Sequence, residues 1–174
     1  LISTQTASSS ATIDFTSGID STYKEYLFRF YNIHPATNNS SFQFQGSTDS
    51  GSSYGVSITS SFFQAYHAED GSATSLSYNA NNDLGNSTSF QIIADTTGNG
   101  DDESASGFLH LFSPSDTTFV KNFIAIDNHS YNGAYSINDF SGGYFNTTSA
   151  INAIQFKMSS GNIDSGTIKL YGVS

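Results

Sequence analysis

Short runs of alternating apolar and polar residues recur along this chain, and clusters of Gly, Asn, Asp and Ser separate them. The clearest runs are residues 26–31, 41–45, 154–158 and 167–171. Alternation with a period of two directs one set of side chains to a core and the other set to solvent or a neighbour. No segment keeps the 3.6-residue period of an amphipathic helix. The pattern therefore predicts an all-β fold with little or no helix.

The spacing of the turn signals, about 8–12 residues, is typical of β-sandwiches. We predict a jelly-roll-like antiparallel β-sandwich with roughly nine to eleven strands. The core is expected to contain the inward-facing members of the alternating runs. They are Phe28, Phe30, Phe42, Phe44, Leu109, Leu111, Ile154, Phe156, Ile168 and Leu170.

The 174 residues suit one domain, which we place at residues 11–174. Residues 1–10 are polar and rich in Ser and Thr, so we interpret them as an N-terminal arm or linker, with an edge strand as the alternative. Such a segment has too little apolar content for a core of its own. Its backbone groups could add to the sheet edge of a neighbouring subunit. The residues expected to take part in assembly are Leu1, Ile2, Thr4 and Thr6.

Composition excludes several classes of function. Fifteen acidic residues against five basic ones give a formal net charge of −10, which disfavours nucleic acid and anionic membrane surfaces as partners. No run approaches the ~20 apolar residues of a membrane helix. The absence of cysteine excludes disulfides and thiolate metal sites. Only 11% of the residues are charged, against about 25% in typical domains, so hydroxyls and amides must supply solubility.

An acidic loop at residues 95–103 is the one segment with a composition that suits a metal ion. Carboxylate and amide oxygens spaced by Gly are what Ca²⁺ prefers, although the spacing is not that of an EF-hand. The candidate ligands are Asp95, Asn99, Asp101 and Asp102. A solvated strand connection is the simpler interpretation, so we predict no cofactor and leave calcium as the open alternative.

Tyr and Asn cluster at residues 127–135, where aromatic platforms with amide neighbours could contact sugar or protein. The same residue types dominate adaptable antibody paratopes. An ordinary surface loop is the alternative. The residues assigned to this surface recognition loop are Asn128, His129, Tyr131, Asn132 and Tyr135.

No catalytic spacing is present in the sequence. The chain lacks a Gly-x-Ser-x-Gly elbow and both standard phosphate-binding glycine loops. Its four histidines do not lie at zinc-type spacings from one another. A dispersed catalytic triad or carboxylate pair stays an alternative, because the members of such sites are not adjacent in sequence. We predict no enzymatic activity and no catalytic residues.

Several segments of the sequence resemble a group of small structural proteins of tailed bacteriophages, especially those of marine and cyanobacterial hosts. They lie at residues 4–15, 23–26, 32–37, 65–67, 109–112, 143–148, 155–163 and 166–173. The resemblance covers nearly the whole chain and implies a virion component, without separating head from tail. It carries over no catalytic residues. In similar proteins the segment that matches residues 4–6 lies near the N-terminus, so few residues are expected before Leu1.

From this resemblance we expect a virion-surface, extracellular protein, and first of all a capsid decoration or appendage protein that acts by assembly. Its expected partners are other virion proteins and further copies of itself, with a trimer as one arrangement. One alternative is a tail-fibre tip or receptor-binding domain that recognises a host glycan. Another is a subunit of a different extracellular filament, in which residues 1–10 would be an exchanged strand.

The fold class can be tested without a structure. A far-UV circular dichroism spectrum should indicate less than about 10% helix, against the ~30–35% of an average globular protein. A spectrum dominated by helix would contradict the alternation from which the fold is predicted.

Overall fold

The computed structural model describes residues 1–131 and 134–174, and within them the fold is all-β without helix, as predicted. The strands are β1 Ser3–Ser10, β2 Ile13–Phe15, β3 Glu25–Pro35, β4 Ser40–Ser47, β5 Ile58–Ala68, β6 Thr74–Tyr78, β7 Gln91–Thr97, β8 Ala105–Phe112, β9 Lys121–Tyr131, β10 Tyr135–Phe145, β11 Ala153–Met158 and β12 Ile163–Val173.

The strands form two antiparallel sheets in a sandwich-like arrangement, which confirms the predicted β-sandwich. The larger sheet has eight strands in the order β1-β12-β3-β8-β9-β10-β5-β6. The smaller sheet has four strands in the order β2-β11-β4-β7. Strand β7 packs across the gap against β9 and β10, so these three strands define one end of the sandwich.

Eight of the strands have an order that is compatible with a jelly roll. When β1, β2, β3, β4, β7, β8, β11 and β12 are renumbered from one to eight, the two sheets have the orders 1-8-3-6 and 2-7-4-5. The other four strands are two hairpins, β5-β6 and β9-β10, inserted into this frame. They continue the larger sheet beyond β8, and we call them the sheet extension.

The described residues contain twelve strands, more than the nine to eleven predicted. Gly142 and Gly143 lie within β10 and do not interrupt it. A Cβ atom at Gly143 would lie 2.3 Å from the carbonyl oxygen of Thr59, so the backbone of β5 passes where a side chain would stand. Glycine therefore permits close pairing here instead of marking a turn.

Residues 1–10 contain an edge strand, which was the alternative to an arm or linker. Strand β1 pairs with β12 from Ser3 opposite Leu170 to Ser10 opposite Ile163. Ala7 is the one apolar residue of β1, so the strand forms because it pairs with β12 and not because of an alternating hydrophobic pattern of its own. It is one of the two outermost strands of the larger sheet, and its second edge has no partner among the described strands.

A cluster of phenylalanines joins the two sheets around Phe156 of the smaller sheet. The Phe156 ring lies 5.3 Å from the rings of both Phe28 and Phe30 in the larger sheet. It is stacked on Phe42 at 5.6 Å and meets Phe15 edge-on at 6.1 Å. Every predicted core residue is at most 3% exposed, which confirms the inward faces derived from alternation.

Truncation of this cluster should destabilise the fold strongly. We expect Phe28→Ala and Phe156→Ala each to lower the free energy of unfolding by about 3–5 kcal/mol, because each removes a buried ring and leaves a cavity. Chemical denaturation measures this change. Phe119→Ala is the matched control, since Phe119 is 70% exposed and its truncation should cost less than about 0.5 kcal/mol. Unchanged midpoints in both core variants would contradict the assigned faces.

Candidate functional site

Three ionisable residues meet inside the sheet extension. Asp127 of β9 is paired directly opposite Asp139 of β10, and His129 follows Asp127 by two residues on the same face of β9. All three side chains point between the sheets and are at most 2% exposed. We call Asp127, His129 and Asp139 the buried cluster.

The buried cluster is linked by short polar contacts. His129 Nδ1 lies 2.9 Å from Asp127 Oδ2 and 4.0 Å from Asp139 Oδ2. Asp139 accepts hydrogen bonds from the backbone N–H of Asp95, at 2.7 Å, and from Gln64 Nε2, at 2.8 Å. These two donors fix Asp139 from β7 and β5, whereas Asp127 is held by His129 and by the nearby backbone of Asp139.

Two buried atoms of the cluster have no hydrogen-bond partner within the part of the chain that the structure describes. They are Asp127 Oδ1 and His129 Nε2, although the backbone of Asp95 lies close enough to the ring to favour its protonated form. Buried polar groups are nearly always satisfied, so orphaned atoms in a charged cluster need an explanation. They are the atoms at which a further ligand or proton could bind.

The environment shifts all three protonation equilibria upward. Burial raises the pKa of Asp127 to about 7, although the hydrogen bond from His129 acts in the opposite direction. Burial also raises the pKa of Asp139 to about 6, against the stabilising effects of His129, Asp95 and Gln64. Burial lowers the pKa of His129, but its hydrogen bond to Asp127 and the two nearby carboxylates outweigh burial and raise it overall.

The cluster can therefore do two things chemically. It can share protons among two carboxylates and an imidazole, or it can hold a metal ion, since its three donor atoms lie within 4.8 Å of one another. Acid–base catalysis would require contact with a substrate. The burial of all three side chains disfavours such contact.

A pocket lined by three tyrosines adjoins the buried cluster. Tyr66 and Tyr135 meet edge-on with ring centroids 5.8 Å apart, and Tyr131 lies 6.0 Å from Tyr135. Gln64 lines the same pocket and donates to Asp139, so the pocket and the cluster share a wall. The pocket has a volume of about 280 Å³, and Thr96 and Ile137 complete its lining. We call it the tyrosine pocket.

The residues of the predicted recognition loop, 127–135, lie in different places in the structure. Tyr131 and Tyr135 are brought together in the tyrosine pocket. His129 was wrongly placed on the surface, because it lies within β9 and faces the interior. Asn128 lies on the opposite face, where its amide donates to the carbonyl of Ile137. Asn132 lies outside the described residues.

The candidate calcium ligands do not converge. Asp95 belongs to β7 and accepts a hydrogen bond from Ser41 Oγ at 3.0 Å. Asp101 and Asp102 are exposed in the following turn. The amide of Asn99 reaches the carbonyl of Ala36, at 3.4 Å. Within residues 1–131 and 134–174 the one group of three or more acids and histidines close enough to share a metal ion is the buried cluster.

The residues assigned to assembly lie along the edge of the larger sheet. Thr4 and Thr6 are exposed on β1, opposite Lys169 and Thr167 of β12. Ile2 extends this pairing, since its N–H donates to the carbonyl of Leu170 at 2.7 Å. Leu1 is exposed, and a role of these residues in assembly stays a prediction.

Sequence reasoning missed the buried cluster, although a signal was present. Asn132-Gly133 is a dipeptide typical of hairpin turns. A two-residue loop there would pair Asp127 with Asn138, whereas the observed register, one residue further along, pairs it with Asp139 and puts Asp127, His129 and Asp139 on one face. The spacings between histidines alone give no indication of a site that combines one histidine with two aspartates.

No protein-family model and no curated protein matches the chain. The described residues include no helix that is long and apolar enough to cross a membrane.

The raised pKa values predict how stability depends on pH in a buffer that contains a chelator. The carboxyls of Asp127 and Asp139 bind protons more tightly in the folded state than in the unfolded chain, where their pKa values lie near 3.8. Their contribution to stability is therefore lost as pH rises from about 4 to 7. The raised pKa of His129 acts in the same direction above about pH 6.5.

We expect the melting temperature to fall between pH 5 and pH 8. Asp127→Asn should flatten this fall, because it removes one titrating carboxyl. Asp70→Asn is the control, since hydrogen bonds to Ser72 lower the pKa of this exposed carboxyl and move its titration below the tested range. A melting temperature that rises between pH 5 and pH 8 would contradict the assigned protonation.

Proposed function

We propose that this chain is a structural protein on the exterior of a bacteriophage particle, first of all a capsid decoration or appendage subunit that acts by protein–protein assembly. The sequence segments that resemble phage structural proteins are the reason for proposing a location on a phage particle. The observation that carries the proposal is an apolar row on the outward face of the larger sheet.

The row runs in register across five strands. Tyr78 of β6 is opposite Phe63 of β5, which is opposite Phe140 of β10. Phe140 is opposite Ile126 of β9, and Ile126 is opposite Phe108 of β8. The rings of Phe63 and Phe140 are stacked with centroids 4.8 Å apart. We call Tyr78, Phe63, Phe140, Ile126 and Phe108 the outer row.

The outer row is accessible to solvent and has apolar neighbours. Phe63 is 42% exposed and Tyr78 is 57% exposed. Leu76 and Ile124 extend the apolar surface on either side, at 72% and 47% exposure. The outward face of an antiparallel sandwich sheet is usually polar, so a contiguous apolar patch of this kind marks a contact surface.

A protein surface is the partner that suits this face. Covering the outer row removes apolar area from water, which is the main favourable contribution to most protein associations. The low content of charged residues reduces the desolvation cost of close contact. Neighbouring subunits, including further copies of this chain in a homo-oligomer such as a trimer, would provide the matching surface.

The edges of the larger sheet favour assembly as well. Strand β1 at one end and β6 at the other each have one edge without a strand partner in the described residues. Unpaired backbone groups at such edges readily pair with a strand from another chain. This geometry also keeps open a subunit of another extracellular filament, in which β1 would be exchanged between copies.

The tyrosine pocket supports a second candidate function. Its three rings and the Gln64 amide combine apolar faces with hydrogen-bonding groups, as small-ligand sites do. A tail-fibre tip or receptor-binding domain that recognises a host glycan would use such a pocket, and jelly rolls also occur among lectins.

The assembly proposal is tested on purified particles of the phage that encodes the chain. We expect the protein in the particle, at hundreds of copies if it decorates the capsid and at a few dozen or fewer if it belongs to the tail. The double variant Phe63→Ser/Tyr78→Ser should remain folded, because both side chains are exposed, and should incorporate at less than about one tenth of the wild-type level. Quantitative mass spectrometry of the particles measures both quantities.

Phe119→Ser is the matched control, because Phe119 is an exposed phenylalanine outside the outer row. It should leave incorporation unchanged. Full incorporation of the double variant would exclude the outer row as the attachment surface. Absence of the intact protein from particles, together with glycan binding that Tyr135→Ala abolishes, would favour the second candidate.

A further inference from the structure

We propose that Asp127, His129 and Asp139 bind one divalent transition-metal ion, such as Mn²⁺, Fe²⁺ or Zn²⁺, between the two sheets. Two carboxylates and an imidazole are a donor set that these ions accept. The site differs from the acidic loop considered for calcium, and it is independent of the assembly function proposed above.

The distances between the donor atoms suit one ion. Ligand atoms about 2.1 Å from an ion lie roughly 3.0 Å apart at right angles and roughly 4.2 Å apart on opposite sides. His129 Nδ1 is 2.9 Å from Asp127 Oδ2 and 4.0 Å from Asp139 Oδ2. All three donor atoms lie within 4.8 Å of one another, so the ion requires little movement of the strands.

The charges of the cluster favour a cation. Two ionised carboxylates face each other across neighbouring strands, and a protonated His129 compensates only one of them. An uncompensated buried charge is strongly unfavourable. A divalent ion would neutralise both carboxylates and leave the imidazole neutral, as a ligand must be.

An orphaned donor atom provides a second, independent indication. Asp127 is almost completely buried, yet its Oδ1 atom has no hydrogen-bond partner among the described residues. Solvent does not reach this oxygen in the structure. A metal ion on the Asp127 carboxylate would account for the placement of a charged group with so few partners of its own.

Neighbouring residues hold the donors in place in the way that metal sites require. The Gln64 amide and the Asp95 N–H orient Asp139, and hydrogen-bonded carboxylate ligands are typical of metal sites. Gly107 lies opposite Asp127 on β8, and a Cβ atom there would come within 2.2 Å of the carbonyl oxygen of Ile126. Glycine therefore lets the backbone of β8 approach β9 closely beside Asp127.

An ion could reach the cluster from the tyrosine pocket. Gln64 lines this pocket and donates to Asp139, so it lies between the pocket and the cluster. Once bound, the ion would join β9 to β10, and Asp139 would connect it to β7 of the smaller sheet.

The test uses the full chain after treatment with EDTA and removal of the chelator. Mn²⁺, Co²⁺ and Zn²⁺ are added separately as chlorides. We expect a stoichiometry of one ion per chain by calorimetry and a melting temperature that rises with ion concentration, since the ion binds the folded state. Bound Co²⁺ should also give a visible absorption spectrum that free Co²⁺ lacks.

Asp127→Asn and Asp139→Asn should each weaken binding at least tenfold while preserving side-chain size. Asp164→Asn is the matched control, because Asp164 also lies beside a histidine, 3.6 Å from His34 Nδ1, but on the surface. It should leave the affinity unchanged. Circular dichroism checks that each variant is folded, and the wild-type stoichiometry decides the question if neither cluster variant folds.

Three outcomes would overturn the proposal. One is a wild-type protein that retains no ion and melts at the same temperature with and without metal, in which case the cluster holds protons only. Another is equal loss of binding in Asp164→Asn and Asp127→Asn, which would indicate adventitious surface binding. The third is metal binding that both cluster variants retain in full. None of these results depends on incorporation into particles, so the two proposals fail separately.

Discussion

The contact between the two sheets at Phe156 is the interaction on which the rest of the structure depends. Its ring packs against phenylalanines of β2, β3 and β4, so four strands from both layers meet at one side chain. The strands that carry this cluster all belong to the eight that are compatible with a jelly roll. Phe44 then continues the aromatic packing to Phe123 of β9, 5.1 Å away, and to Phe145 of β10. The sheet extension is thus anchored to the same core.

The limited width of the smaller sheet explains where the candidate sites lie. Strand β7 is its last strand and packs against β9 and β10, whereas β5 and β6 continue beyond it. The buried cluster lies where β7 still covers the larger sheet, and the backbone of β7 donates to Asp139. The tyrosine pocket lies next to it, lined by Thr96 of β7 and by residues of the extension. The polar cluster is therefore buried because β7 covers it, whereas the aromatic pocket beside it is open to solvent.

The sequence predicted those features that depend on alternation within a strand. Phe28, Phe42 and Ile168 could be placed in the core because each lies in a run of period two. Strand β1 could not be distinguished from an arm, because it is defined by its pairing with β12, from Ser3 opposite Leu170 to Ser10 opposite Ile163, and not by its own sequence pattern. The buried cluster could not be predicted for the same reason, since only strand pairing brings Asp139 next to Asp127. Long-range register is the information that composition and periodicity lack.

The sheet extension departs from ordinary β-sandwich patterning on both faces. Its inner face buries two carboxylates and a histidine, whereas its outer face exposes Phe63, Tyr78 and Leu76 to solvent. Each departure is unfavourable for the isolated domain, because buried charges and exposed apolar rings both oppose folding in water. Violations of local rules concentrate at functional sites in natural proteins. Both occur here in strands that are additional to the eight-stranded frame, so function is best sought in the extension, where the proposed ion would satisfy the interior and the proposed neighbouring subunit would cover the exterior.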